Sequence, residues 1–218
     1  MLLVAVATEQ EIEPLQQSYA NQTGLKLLVT GVGPVVAAAN LGSYLAGHAA
    51  MVDGVLNVGV AGAYVDSGLN LLDICLARQE IVGDFGICMH DKILDFDPGT
   101  IPPNRTIALE NVLSEKIAGI LRNNSIAYKA ANFVTVSCCS GTRTRGDFLR
   151  KKFAAGCENM EGAGVAMVCN NFNIPCVELR CVSNTVEDRN MDTWLLDEAI
   201  GKISRVTGTL LRDYMKDS

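Results

Sequence analysis

A chain of 218 residues that is 49% hydrophobic and 19% charged has the length and composition of one globular domain with a sizeable core. Its formal net charge of −6 excludes the phosphate-neutralising surface on which nonspecific nucleic-acid binding depends. The apolar start Met1–Ala7 is too short for a signal-peptide core and lacks a basic flank. The most apolar long window, Tyr44–Val65, is interrupted by His48, Asp53 and Asn57, so no membrane span is expected and the chain reads as cytoplasmic.

In chain order, the apolar run Leu2–Ala7 predicts a strand, and Thr8-x-x-Glu11 marks the start of a helix. Leu25–Thr30 predicts a second strand that leads through Gly31-Val-Gly-Pro34 into an alanine-rich helix over Val35–Ala46. Gly54–Val60 predicts a third strand, ending in a tight turn at Gly59-Val-Ala-Gly62. Leu71–Val82 reads as extended, Ile107–Leu121 as an amphipathic helix and Phe133–Val136 as a strand. Glu161–Phe172 reads as a small-residue helix, Cys176–Val182 as a buried strand and Thr193–Tyr214 as a closing helix. This alternation predicts a three-layer αβα sandwich, of class α/β, around a mixed, mostly parallel sheet in a single domain over residues 1–218. Ligands of such sheets bind at the C-terminal strand ends, which places Asn184 at a pocket rim. The segment Asp84–Asn104, with Asp97-Pro-Gly and Pro102-Pro103, has little periodicity and reads either as a binding loop or as a surface or subunit contact.

Eight cysteines contain no C-x-x-C pair, and only His48 and His90 accompany them. No metal site and no cofactor are expected, and most of the thiols are expected as small core residues. Glu11 has two readings: Thr8 and Glu11 have capping-box spacing, and a carboxylate just past the first strand also suits catalysis. Glu161, beside Met160 in Cys157-Glu-Asn-Met-Glu-Gly-Ala-Gly-Val-Ala166, is either a helix-start acid or a ligand-binding one. The glycine pairs at 31–33 and 59–62 fit neither a Walker loop nor the dinucleotide fingerprint and read as turns. The basic run Arg143–Lys152 reads as a solvated helix face, with Arg143 or Arg145 the sharper option as a fork for a substrate carboxylate.

Five segments carry a wider likeness by occurring in order: Ala7-Thr-Glu-Gln-Glu11, Gly31-Val-Gly-Pro34, Asn57-Val-Gly-Val-Ala-Gly62, Glu158-Asn-Met-Glu-Gly162 and Arg180-Cys-Val-Ser-Asn184. Together they resemble the nucleoside phosphorylase/nucleosidase superfamily over nearly the whole chain. The closing pattern Ser183-Asn-Thr-Val-Glu-Asp-Arg-Asn190, with Trp194 beyond it, is similar to the futalosine hydrolases of the alternative menaquinone pathway more than to the methylthioadenosine/S-adenosylhomocysteine nucleosidases.

The resemblance implies that Glu11 binds the attacking water, Glu161 the ribose hydroxyls, and that Met160 lies near the sugar. Adenine-cleaving relatives carry an aspartic acid at the position of Asn184. An amide has no titratable proton, but its NH₂ can donate to a 6-oxo group while its carbonyl accepts from a protonated purine N7. Asn184 therefore implies hypoxanthine over adenine, with a simple turn as its alternative role. Val60, where a serine is usual, and Asn159 depart from the adenosine-type pattern. Phe133 or Phe96 is expected against the apolar 5′ tail of futalosine, with Arg189 and Trp194 near the ligand or shaping its loop. A homo-oligomer is also implied, with the Asp84–Asn104 segment as the candidate contact. A phosphorylase, an adenosine-type nucleosidase and a noncatalytic nucleoside-binding domain are the competing readings.

Overall fold

The structure is a computed structural model describing residues 1–90, 92–97, 99 and 105–216. The expected Pro102-Pro103 segment, Pro98 and Asn104 therefore lie outside the described residues.

β1 (Leu2–Val6) is buried at every position, and it sits between β2 (Leu25–Val29) and β3 (Gly54–Tyr64) in parallel register. A run of branched aliphatics without alternation is what a strand covered on both faces requires. β3 pairs in parallel with β10 (Cys176–Val186), and β10 pairs antiparallel with β4 (Ile74–Val82). β4 then pairs in parallel with β8 (Lys129–Thr135), and β8 in parallel with β9 (Ala155–Asn159). β9 returns antiparallel to β3, so five strands close into a ring while β1 and β2 extend from it as an open wing. A short strand β7 (Thr106–Ala108) lies on β4, and β5 (Ile87–Met89) with β6 (Lys92–Leu94) makes a separate hairpin.

Helices α1 (Glu9–Tyr19), α3 (Val112–Asn123) and α6 (Leu196–Tyr214) pack one apolar layer against the sheet. Helices α2 (Pro34–His48) and α5 (Gly162–Asn171) pack the other. The expected sandwich with a mixed, mostly parallel sheet is present. A smaller cluster under α4 (Arg143–Phe153) joins Tyr64, Val134, Leu149 and Val186.

Three sequence expectations need correction. Gly59–Gly62 is not a turn, because β3 runs straight through it to Tyr64. Its glycines are there for space: a Cβ on Gly59 would come 2.5 Å from Arg180 Nη1 and 2.8 Å from Glu11 Oε1. Likewise β10 does not end before Ser183-Asn184 but continues to Val186, with a register shift between Val182 and Asn184. Such a bulge re-aims side chains at a strand's end. Third, the helix expected from Ile107 starts at Val112. Asn111 caps it, accepting from the Leu113 and Ser114 N–H groups, while Thr106–Ala108 pairs as β7.

Candidate active site

The C-terminal ends of β1, β3, β9 and β10 surround a cavity of about 340 Å³. Glu11, Val60, Asn159, Met160, Glu161, Asn184, Arg189 and Trp194 all line it. Phe133 does not. It is fully buried in the core with Phe172, Cys157 and Val165 packed in the same cluster, because its position in β8 points to the α5 side of the sheet. Phe96 is also away from the cavity, edge-on to Phe85 at 5.5 Å.

The capping reading of Glu11 is realised, and the same carboxylate also lines the cavity. Thr8 caps α1 and completes the capping box. Glu11 Oε2 accepts from the Ala7 N–H (3.1 Å), the Thr8 N–H (3.0 Å) and the Thr8 hydroxyl (3.0 Å). Oε1 is left over Gly59 at the cavity wall. Burial pushes the Glu11 carboxyl above its usual pKa, and Arg180 opposes that shift.

Glu161 precedes α5 but does not cap it. The N–H groups at the start of α5 are satisfied from below. Asn159 Oδ1 accepts from Glu161 N (2.9 Å) and Gly162 N (2.7 Å), and Thr135 Oγ1 accepts from Ala163 N (2.7 Å). That frees the Glu161 carboxylate for the cavity. Oε1 accepts from the Gly33 N–H at 3.1 Å, and Oε2 lies 3.4 Å from Arg180 Nη1. Gly33 can present that N–H because it adopts φ +92 at the head of α2, a conformation that side chains disfavour. Asn159 is thus a helix-capping strut under the site, with its oxygen facing backbone.

Arg180 had no assigned role in the sequence reading, yet it sits between the two acids. Its Nη1 approaches both Gly59 and Glu161 and donates to Val60 O at 3.3 Å, and its Nε donates to Glu178 at 2.8 Å. The guanidinium is 2% exposed and is held firmly charged by Glu178, Glu161 and Glu11 against the cost of burial. A visible signal was the Glu178-Leu-Arg180 spacing, which puts two charges on one face of an otherwise apolar strand.

Asn184 and Glu158 flank Gly62, their partner on β3, and a Cβ there would come 3.0 Å from Asn184 Nδ2. The Ser183 hydroxyl donates to Asn184 Oδ1 at 2.9 Å, which orients the amide with its NH₂ over Gly62. Glu158, a second residue to which the sequence reading gave no role, accepts from Ser140 N (2.8 Å) and Ser140 Oγ (2.7 Å). Burial raises its carboxyl pKa. Met160 Sδ lies 3.2 Å from Cys139 Sγ on the cavity floor.

Arg189 sits at the mouth with its guanidinium carbon 5.0 Å from the Trp194 ring centroid, and it has no carboxylate partner among the described residues. Neither Arg143 nor Arg145 lines the cavity. Arg143 pairs with Asp66 and Asp147 and is exposed, so the solvated-face reading holds for it, whereas Arg145 is half-buried, donates to Cys138 O and has its Nε buried without a partner among the described residues. No cluster of metal-ligating side chains occurs among the described residues, and no helix there is long and apolar enough to cross a membrane.

Two carboxylates and one guanidinium around a cavity can hold a water, grip vicinal hydroxyls and stabilise a developing sugar cation. The phosphorylase superfamily sequence model matches residues 3–214. A futalosine hydrolase of Thermus thermophilus is 31% identical over 88% of this chain and 83% of its own length. An aminodeoxyfutalosine nucleosidase of Helicobacter pylori is 30% identical over 76% of this chain and 70% of its own. A solved Helicobacter pylori structure described as a futalosine hydrolase mutant superposes with a TM-score of 0.83 at 22% identity, over 97% of this chain and 98% of that one.

Proposed function

We propose that this chain, which belongs to the phosphorylase superfamily and is a purine nucleoside N-glycosidase, acts on futalosine and releases hypoxanthine in the alternative menaquinone pathway. Glu11 Oε1 takes a proton from water as its oxygen attacks C1′, and the C1′–N9 bond breaks through an oxocarbenium-like state. Glu161 accepts from the ribose hydroxyls. The base leaves as its N7 gains a proton from solvent, and the neutral hypoxanthine is read by Asn184.

The observation that carries this reading is Asn184 itself. It lines the cavity with its carbonyl accepting from Ser183 and its NH₂ donating to Thr185 O at 3.4 Å through one hydrogen, which leaves the second for a ligand, the polarity a 6-oxo group needs and a 6-amino group opposes. Leaving two donors face to face costs about 1–3 kcal/mol, enough to set a preference of roughly tenfold or more. Hydrolysis is favoured over phosphorolysis because Glu11 presents a carboxylate oxygen where phosphate would be repelled.

Incubation with futalosine, aminodeoxyfutalosine and 5′-methylthioadenosine, with and without phosphate, tests the assignment. Hypoxanthine released fastest from futalosine, independent of phosphate, supports it. Adenine released faster from either amino substrate overturns it in favour of the aminodeoxyfutalosine reading that the Helicobacter pylori relative suggests.

A further inference from the structure

We infer that Glu80 and Glu178 share one proton beneath the cavity, carried on Glu80, and that the pair positions Arg180 for the reaction. Both side chains are fully buried, and Glu178 does not reach the cavity surface. They converge on Gly162: a Cβ there would collide with Glu80 Oε1 and lie 2.5 Å from Glu178 Oε2. Glu80 accepts from Thr135 Oγ1 (2.7 Å) and Asn159 Nδ2 (2.5 Å), the same two residues that cap α5. Glu178 Oε1 accepts from Arg180 Nε, while Glu178 Oε2 is buried without a hydrogen-bond partner.

Two ionised carboxylates this close in a dry interior repel strongly. One proton removes the repulsion, and a Glu80 O–H donating to Glu178 Oε2 also fills the orphaned acceptor. Arg180 decides where the charge resides, because its Nε favours the ionised form of Glu178. Burial first, and the neighbouring Glu178 charge second, push the Glu80 carboxyl well above its ordinary pKa.

The other ionisable groups that face the pair are Arg180 on β10 and the thiols Cys157 and Cys176, and Arg180 in turn faces Glu161 at the head of α5 and Glu11 on α1. Arg180 is the cation of this cluster, so its four acids outnumber it by three charges when all are ionised, and a proton on Glu80 relieves part of that excess where no cation among the described residues touches the carboxyl. The ionised Glu178 then holds the guanidinium from behind while Nη1 faces Glu161 and Gly59. Glu80 and Glu178 are positioning residues, since neither touches substrate.

The inference rests on the nucleosidase reading only for its rate measurements, and an infrared spectrum tests it without turnover. The carbonyl stretch of a protonated carboxyl should be visible in the wild-type protein at neutral pH and missing from Glu80→Gln. In rate measurements on futalosine and inosine, Glu80→Gln should keep kcat at pH 7 near the wild-type value, because its amide donates as the protonated acid does. It should also lose the alkaline fall in kcat that deprotonation of the pair produces. Glu178→Gln, which removes the anion behind Arg180, should lower kcat by about 10- to 100-fold, the rate equivalent of one charge-assisted hydrogen bond, with KM changing less. A protonated-carboxyl band that survives Glu80→Gln, or a Glu80→Gln variant as impaired as Glu178→Gln, would overturn it. If no purine nucleoside is turned over at all, the functional reading fails while the infrared result still decides the shared proton.

Discussion

Glu11 divides its carboxylate between two tasks: Oε2 is tied to the cap of α1, and Oε1 meets the cavity. Glu11→Gln should therefore remove the base while an amide oxygen still accepts from Ala7 and Thr8. We expect kcat to fall by about 10²–10⁴-fold, or about 3–5 kcal/mol of barrier, with thermal stability nearly unchanged. Steady-state kinetics alongside a melting curve check both parts, and intact turnover would remove Glu11 from the mechanism. Because burial raises the Glu11 pKa, the acid limb of kcat/KM should lie above the ordinary carboxylate range, with activity gained as pH rises through it. Asn184→Asp should lower the ratio of 6-oxo to 6-amino turnover, measured as kcat/KM on futalosine and aminodeoxyfutalosine. Arg189 faces the cavity mouth without a carboxylate partner, which suits an acidic 5′ substituent. Arg189→Gln should raise KM for futalosine by about tenfold, the scale of one exposed charge-assisted contact, and leave inosine little affected. An equal loss on both nucleosides would mean that Arg189 only shapes its loop.

Among the elements, β3 is the one that brings the site together, since it touches β1, β10 and β9 and carries the two glycines under Glu11, Arg180 and Asn184. Gly59→Ala should keep the fold but displace Arg180 and Glu11. A loss of about 1–3 kcal/mol in stability from overpacking is expected, with a larger proportional loss of kcat. Denaturant titration and kinetics on one preparation compare the two effects. The sequence made much of this element legible through local pattern: β1 and the helix start at Thr8 follow from apolar runs and capping chemistry that depend on few residues. The turn expected at Gly59–Gly62 failed for a tertiary reason. Gly59 answers to Arg180 and Glu11, and Gly62 to Val186 and Asn184, all of them distant along the chain, and no local window contains that information. Asn159 shows the same limit. Its departure from the adenosine-type pattern was visible, but its job as a strut joining Glu80, Thr135 and α5 needs three separate strands and a helix in place. Phe133 failed because an aromatic near a strand end can face either layer, and only the register of β8 with β4 and β9 decides which.

For the whole molecule, opposite pKa shifts set a window of stability. Glu11, Glu80 and Glu158 are raised by burial, so the folded chain binds their protons more tightly than the unfolded chain does. Their contribution is fully present below the unfolded carboxylate pKa and diminishes as pH rises through the folded values. Asp73 and Asp95 are shifted the other way, Asp73 mainly through its bonds with Lys129 and Asn70 and Asp95 first through Lys152. Their contribution is present above the unfolded pKa and is lost as pH falls. Tm should therefore peak in the mildly acidic range and decline towards alkaline pH, with a shallower alkaline decline in Glu80→Gln. A melting series across pH on both proteins measures this directly.

The ring of five strands has a further effect on traffic. With β3, β10, β4, β8 and β9 each hydrogen-bonded to neighbours around the circle, the cavity cannot widen by parting strands without breaking a ladder. If the cavity must open for a ligand to leave, the short segment after β10, where Arg189 stacks on Trp194, is the lining that can move without breaking a ladder, and on the proposed function it becomes the place where release would limit the turnover rate.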